Sequence, residues 1–272
     1  MNFSNTWRGI PPVTKNLLII NVAIWLVGLA APGISRLLSN LLYRFFGIVL
    51  PIFSDTLLYD KLGLHMFGAD LFNPIQLVTY MFLHDESNVL HILFNMFTLW
   101  MFGRILEQVW GSKRFFMFYM VCGIGAALVQ EAVWMLTWQA DYISELARIN
   151  GLTVDHTRAL LDKALAAGDH DLLSGMAQYK SSFLTVGASG AIFGLLLGFA
   201  MTFPNMPLYL FFIPVPIKAK YMVIGYAVLE FFLGVSGGGT IAHFAHLGGM
   251  LFGLVILLYW KKKGMLRGNG FY

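Results

Sequence analysis

An all-α, polytopic membrane protein is the fold class this sequence predicts, and three observations carry it. Hydrophobic residues fill 58% of the 272 positions and charged residues 12%, with a mean hydropathy of +0.69; a soluble domain carries roughly a quarter charged residues. Apolar runs recur at close to the ~20 residues that cross a bilayer as helix. The charges between those runs segregate by loop.

Six spans are read in order, at about 16–32, 91–106, 115–138, 183–203, 221–235 and 240–260. The stretch before the first is too short and too polar for a signal peptide and lacks transit-peptide composition, so the first helix reads as retained. The segment 33–90 follows as a long first outer loop, with 34–53 expected to lie half-embedded as an amphipathic element. An extra span at 37–53 is disfavoured by Arg36, Ser39, Asn40 and Arg44. Between the third and fourth spans, 139–182 reads as a polar helical insert, with helices at 141–150 and 155–167, each opened by an Asp at or near its N-cap. The whole chain, 1–272, is otherwise one membrane domain, without internal repeats. The single cysteine, Cys122, allows no intramolecular disulfide.

Six spans put both termini, the 2–3 loop and the 4–5 loop on one side. That side holds eleven basic residues, including Arg104, Lys113, Arg114, Lys218 and Lys261, Lys262 and Lys263, against one acid, Glu107. Short basic loops mark the cytoplasm, so both termini are expected inside, in a bacterial-type plasma membrane. No nucleic-acid partner is expected; the lipid bilayer is.

Against this apolar background the rare polar groups stand out. Ser189 lies in Gly187-Ala188-Ser189-Gly190 where the fourth span opens, and His246 lies in the sixth. Counting 1.5 Å per residue from the inner ends of helices two, four and six sets Ser189 about 22 Å, His246 about 21 Å and His91 about 20 Å above them, with Asn95 about one turn lower. Polar groups at such depth face a bundle interior or a water-filled cavity. A serine hydroxyl needs a base to become a nucleophile, and His246 is the natural one. No acid is placed at this level, so a two-member Ser–His dyad is expected, with the Phe193 ring against the imidazole. His91 and Asn95, at i and i+4 on one face, suit an oxyanion hole together with the Ser189 N–H. Gly187 and Gly190 leave the backbone bare there. Gly190 with Gly194, and Gly249 with Gly253, form small faces whose packing would bring helices four and six together.

These motifs, His91-Ile-Leu-Phe-Asn95, Gly187-Ala-Ser189-Gly190 and Ala245-His246-Leu-Gly-Gly249-Met-Leu-Phe-Gly253, resemble those of the rhomboid intramembrane serine proteases. The resemblance covers most of the chain apart from 139–182. It implies a six-helix rhomboid-like bundle, Ser189 as nucleophile, His246 as base, His91 and Asn95 as oxyanion donors, and no cofactor. It also implies substrates that are themselves membrane-spanning, with the fifth helix and the Gly237-Gly238-Gly239 loop as gate and cap. Rhomboids commonly carry Trp-Arg in the first outer loop; Ile75-Gln76 stands near that place.

Competing readings are weaker. A proteolytically inactive relative should lack the serine or the histidine. A transporter relaying protons through His91, His243, His246 and Glu230 should show repeats. No His-Glu-x-x-His motif provides a metal site, so no metal is expected. His243 misses the sixth-helix spacing and reads as a supporting or water-contacting residue. Glu230, well inside the fifth span, is expected to stabilise the fold or the gate. His84 is expected to bond the outer loops or cavity water, and His65, His156 and His170 to sit at solvent or the interface.

Overall fold

The computed structural model describes residues 9–46, 57–209, 215–236 and 242–265. The first helix, α1 (Pro12–Phe46), begins on a proline, whose fixed φ and missing N–H suit a first helical position. It then runs through Pro32 without stopping. The span expected to end there, and the separate amphipathic element beyond it, are one helix of 35 residues as far as Phe46. A proline costs a helix one hydrogen bond, which membrane helices tolerate. The rest of that predicted element, 47–53, lies outside the described residues.

The first outer loop is built from small pieces: α2 (Leu57–Leu62), β1 (Leu64–His65), α3 (Gln76–Thr79) and a 3-10 turn at Tyr80–Phe82. Gln76, fully buried, ties them together. Its Oε1 accepts from the backbone N–H groups of Asn73 at 3.1 Å and His65 at 3.3 Å, and its Nε2 donates to the Leu71 carbonyl at 2.9 Å. His65 is buried in β1, correcting its expected exposure: the strand pairs on one side and Gln76 closes the other.

The second span runs from Val89 to Trp110. It comprises α4 (Val89–Thr98), a wider π-helical turn at Leu99–Gly103, and α5 (Arg104–Trp110). Asn88 caps α4, its side chain accepting from the His91 N–H. Glu107 is buried and caps the start of α1: it accepts from the Val13 and Thr14 N–H groups, at 3.0 and 2.7 Å, and from the Thr14 and Ser112 hydroxyls. Two orphan backbone donors in the first turn of α1, and two hydroxyls beside them, are thereby satisfied.

The third helix, α6 (Ser112–Asn150), has 39 residues and carries the third span straight into the insert. The separate helix expected at 141–150 is its continuation. Neither Gly nor Pro interrupts the sequence from Leu128 to Asn150, and the helix stops only at Gly151, in the left-handed conformation at φ 64°. The insert continues with α7 (Val154–Ala166), capped by Thr153, and α8 (His170–Ser181), capped by Asp169. The capped α8 was not foreseen.

β2 (Leu184–Thr185) then pairs antiparallel with β1, Leu64 against Thr185 and His65 against Leu184. The fourth apolar run therefore begins as strand and turn. Its helix, α9 (Ser189–Thr202), is 14 residues long and starts at Ser189. A second two-residue pair, β3 (Pro207–Leu208) with β4 (Ile217–Lys218), precedes α10 (Ala219–Val235). The last helix, α11 (His243–Lys262), starts later than the expected 240; the glycine loop before it, 237–239, lies outside the described residues.

Among the described residues, four helices are long and apolar enough to cross a membrane: Pro12–Ala31, Val89–Trp110, Ser112–Asn150 and His243–Lys262; α9 is a shorter apolar helix. The chain is an integral membrane protein. Its centre is the packing of α6, α9 and α11 on one another, made possible by small residues: Gly249 meets the Gly190 backbone, Gly194 faces Cys122 and the Gly249 carbonyl, and Gly190 and Gly248 close on Ala126. Large apolar residues such as Leu26, Leu136, Phe232 and Val255 stand exposed on the outside; a lipid phase would solvate them as well as a protein core does.

Candidate functional site

Three local features put Ser189 at the head of α9. Gly187 has φ 127°, a conformation open to glycine and strained for other residues. Its N–H donates to the Tyr80 carbonyl at 2.9 Å, and the Tyr80 hydroxyl donates to the Gly123 carbonyl at 2.8 Å, so the turn before the serine is pinned to the outer loop and to α6. A side chain at Gly187 would also meet His91, its Cβ falling 2.9 Å from Nε2. The backbone beside the hydroxyl is bare because His91 occupies that space.

Ser189 and His246 meet. His246 Nε2 and Ser189 Oγ are 2.8 Å apart, a hydrogen-bonding distance. The Phe193 ring lies parallel to the imidazole, centroids 4.2 Å apart and planes 5° from coplanar. His91 and Asn95 project from α4 into the same cavity of about 540 Å³, which Asp85, Asn88 and Val186 also line. Asn95 is 6% exposed, and its Nδ2 has no hydrogen-bond partner among the described residues. A buried amide donor without a partner is uncommon in folded proteins, and this one borders the serine. The first-turn N–H groups of α9, Ser189 among them, have no partners within their helix. Gly249 packs directly on the Gly190 carbonyl and Gly253 beside Gly194, and these contacts set the spacing of α9 and α11.

One expectation needs correction: an acid does sit beside His246. Glu230 of α10 places Oε2 2.6 Å from His243 Nδ1, in a hydrogen bond, and 3.0 Å from His246 Nδ1. The second approach is close but poorly aligned, and His246 Nδ1 has no formed hydrogen bond among the described residues. His243 is buried, bonded to the acid rather than turned to water. The sequence shows both residues but not their meeting, which depends on how α10 and α11 are rotated against each other. A divalent ion could also use the ligand atoms of Glu230, His243 and His246, all within 4.8 Å of one another. Yet ligands of tetrahedral zinc at ~2.0–2.1 Å stand about 3.3 Å apart, and the oxygen is nearer than that to both nitrogens. Hydrogen bonding fits the spacing better.

His84, expected at the outer loops, is buried there with its ring 5.2 Å from that of His91 and neither nitrogen hydrogen-bonded among the described residues. Burial first, and the neighbouring His91 second, lower its pKa to about 3. Its backbone is held by Tyr59, whose hydroxyl donates to the His84 carbonyl at 3.1 Å. A second, apolar cavity of about 560 Å³ opens between α4 and α10, lined by Phe97, Met101, Phe193, Met222 and Tyr226 among others.

Comparison with known proteins bears on what this arrangement is. The rhomboid domain model matches residues 72–140 and 158–263, interrupted only within the insert. The chain belongs to the rhomboid family. It is also similar to the mitochondrial rhomboid protein 1 of Saccharomyces cerevisiae, at 28% identity over 198 residues, 70% of this chain and 43% of that protein. The chain thus spans less than half the length of that relative. Rhomboids are in general intramembrane serine proteases, and the matched region contains every residue the sequence singled out for chemistry.

Proposed function

We propose that this rhomboid is an active intramembrane serine endopeptidase that hydrolyses peptide bonds in or near membrane-spanning segments of other proteins. The single observation that carries the reading is the 2.8 Å contact of Ser189 Oγ with His246 Nε2. The imidazole takes the hydroxyl proton, Oγ attacks the scissile carbonyl, and the protonated imidazole returns the proton to the amine as the C–N bond breaks; water, giving its proton to the same imidazole, then attacks the acyl-serine and releases the carboxylate with Oγ reprotonated. The developing oxyanion is stabilised by Asn95 Nδ2, His91 and the Ser189 N–H. Phe193 keeps the imidazole plane fixed. The partnerless Asn95 donor supports this assignment, since its free N–H faces the cavity the tetrahedral oxygen would occupy. The apolar cavity between α4 and α10 supports a substrate that arrives from the bilayer. No cofactor, metal or nucleic acid takes part.

In this reading α9 and α10, with 14 and 17 residues, complete a six-span bundle, short helices being accommodated by local thinning of the bilayer. Both termini face the cytoplasm of a bacterial-type plasma membrane, and the 139–182 insert stands on the other side.

The experiment is covalent labelling with a serine-directed fluorophosphonate, together with cleavage of a model transmembrane substrate in detergent. The wild type should label and cleave, and Ser189→Ala and His246→Ala should lose cleavage while remaining folded. Full cleavage by a folded Ser189→Ala variant would sink the mechanism.

A further inference from the structure

We propose that Glu230 is a positioning residue for the base: it holds His246 in the tautomer that carries its proton on Nδ1 and leaves Nε2 bare toward Ser189. The inference rests on the serine-protease reading above and adds a third member to it.

The chemistry follows from what each group can donate. An ionised carboxylate only accepts, so a ring nitrogen held against it must carry the hydrogen. Glu230 Oε2 lies 3.0 Å from His246 Nδ1, and a neutral imidazole has one N–H to place. With that hydrogen on Nδ1, the lone pair sits on Nε2, which is 2.8 Å from the serine oxygen. With the hydrogen on Nε2 the ring would be a donor toward Oγ and unable to take its proton. Phe193 fixes the plane of the ring by stacking, but a ring face cannot choose between the two nitrogens. Among the described residues, Glu230 is the group beside Nδ1 that can.

The carboxylate is itself held. His243 Nδ1 donates to the same oxygen at 2.6 Å, one turn before His246 on α11, so the acid is anchored by one histidine while it faces the other. The alignment toward His246 is imperfect at rest. Catalytic hydrogen bonds are often loose in the free enzyme and tighten as charge develops, and an imidazolium forming at His246 would draw the carboxylate in. Glu230 comes from α10, not from α9 or α11, so the support reaches the base from a helix that carries no other part of the site.

The test uses the whole 272-residue chain in detergent. In protein labelled with ¹⁵N-histidine, with His246→Ala providing the assignment, the wild-type His246 resonances should report Nδ1–H with an unprotonated Nε2 at neutral pH; a wild-type Nε2–H tautomer overturns the proposal without any variant of Glu230. Glu230→Gln should lower kcat by about 10²-fold, within what general-base catalysis contributes. KM should stay within about twofold, and the His246 resonances should shift toward a mixture of tautomers. A residue that merely braces the helices would change unfolding temperature and KM without moving the tautomer. Wild-type kcat in Glu230→Gln, with His246→Ala inactive, refutes the role of Glu230 alone. Activity in His246→Ala would instead refute the serine-protease reading beneath it.

Discussion

Gly249→Ala is the substitution that probes most directly how the bundle holds Ser189 against His246. A Cβ at this position would fall 1.9 Å from the Gly190 carbonyl oxygen, where real Cβ contacts do not come below 3.0 Å. The obstacle is helix backbone, one residue from Ser189, so no side chain can swing aside. Helices α9 and α11 must part by about 1.1 Å at this point, and overpacking of this kind typically costs 1–3 kcal/mol. Carried rigidly to the dyad, the same displacement takes the 2.8 Å contact of Ser189 with His246 to about 3.9 Å, beyond hydrogen-bonding range. Misplacement by about 1 Å costs on the order of 10²-fold in rate, so a hundredfold fall in kcat is expected, with parallel slowing of fluorophosphonate labelling. Gly253→Ala is the internal comparison. Its Cβ would stand 3.1 Å from the Phe118 ring and 3.2 Å from Cys122 Sγ, a few tenths of an ångström short of ordinary contact with side chains, and its loss should stay below tenfold. The assay is initial cleavage rate of a transmembrane substrate in detergent, beside thermal unfolding. A folded Gly249→Ala variant with wild-type kcat would show that the α9–α11 contact does not set the Ser–His distance.

Three further outcomes are expected. Asn95→Ala should lower cleavage at least tenfold, toward the 10²–10³ typical of a lost oxyanion donor, while Ser189 still labels; unchanged kcat would remove Asn95 from the oxyanion hole. Gln76→Ala strands the buried N–H of His65, at roughly 1–3 kcal/mol for an unsatisfied group, while the part-buried Asn73 N–H and Leu71 carbonyl can turn to water, so it should lower stability by about 1–3 kcal/mol, measured by unfolding in detergent. His84, with its pKa lowered in the fold to about 3, is protonated in the unfolded chain at a higher pH than in the native one. Its share of stability is therefore complete above the unfolded value near 6.5 and is lost as pH falls from there toward 3. Between pH 6.5 and 5 the wild type should lose about 1.6 kcal/mol more than His84→Gln, the slope rising from about 0.7 toward about 1.4 kcal/mol per pH unit; equal slopes would contradict a buried neutral His84.

The candidate site was legible because apolar spans make polar residues conspicuous. Ser189, His246, His91 and Asn95 stand out in apolar runs, and counting along helices was enough to bring them to one depth. The pairing of Glu230 with His246 was not legible, since it depends on the rotation of α10 about its own axis, and α10 carries exposed apolar residues such as Tyr221, Val228 and Phe232 that leave this rotation ambiguous. Glu131, buried in α6 and accepting from the Phe67 N–H of the outer loop at 2.6 Å, was passed over too, since its partner lies 64 residues away in an irregular loop that helix counting does not place. Boundaries failed where composition changed but helix did not. The shift to polar residues near Asp141 looked like an exit from the membrane and a new element, while the backbone continued to Gly151, the first residue able to end it. The opposite error occurred before Ser189, where the apolar Phe183–Val186 stretch looked like helix and forms part of a strand.

The length of α6 has a mechanical consequence. At 1.5 Å per residue its 39 residues extend about 58 Å, nearly twice a hydrocarbon core of roughly 30 Å. The insert is therefore welded to a rigid lever rather than tethered by a loop. Ala126, which packs on Gly190, lies about 21 Å along the lever from Ser112. Pivoting the arm by about 3° about that end would move Ala126 by about 1 Å, the displacement that costs a hundredfold in rate. A binder that grips α7 and α8 and leans on the arm would thus reach the Ser189–His246 contact from the insert, and an antibody fragment clamped there without any change in cleavage rate would show the arm to be too compliant to transmit the force.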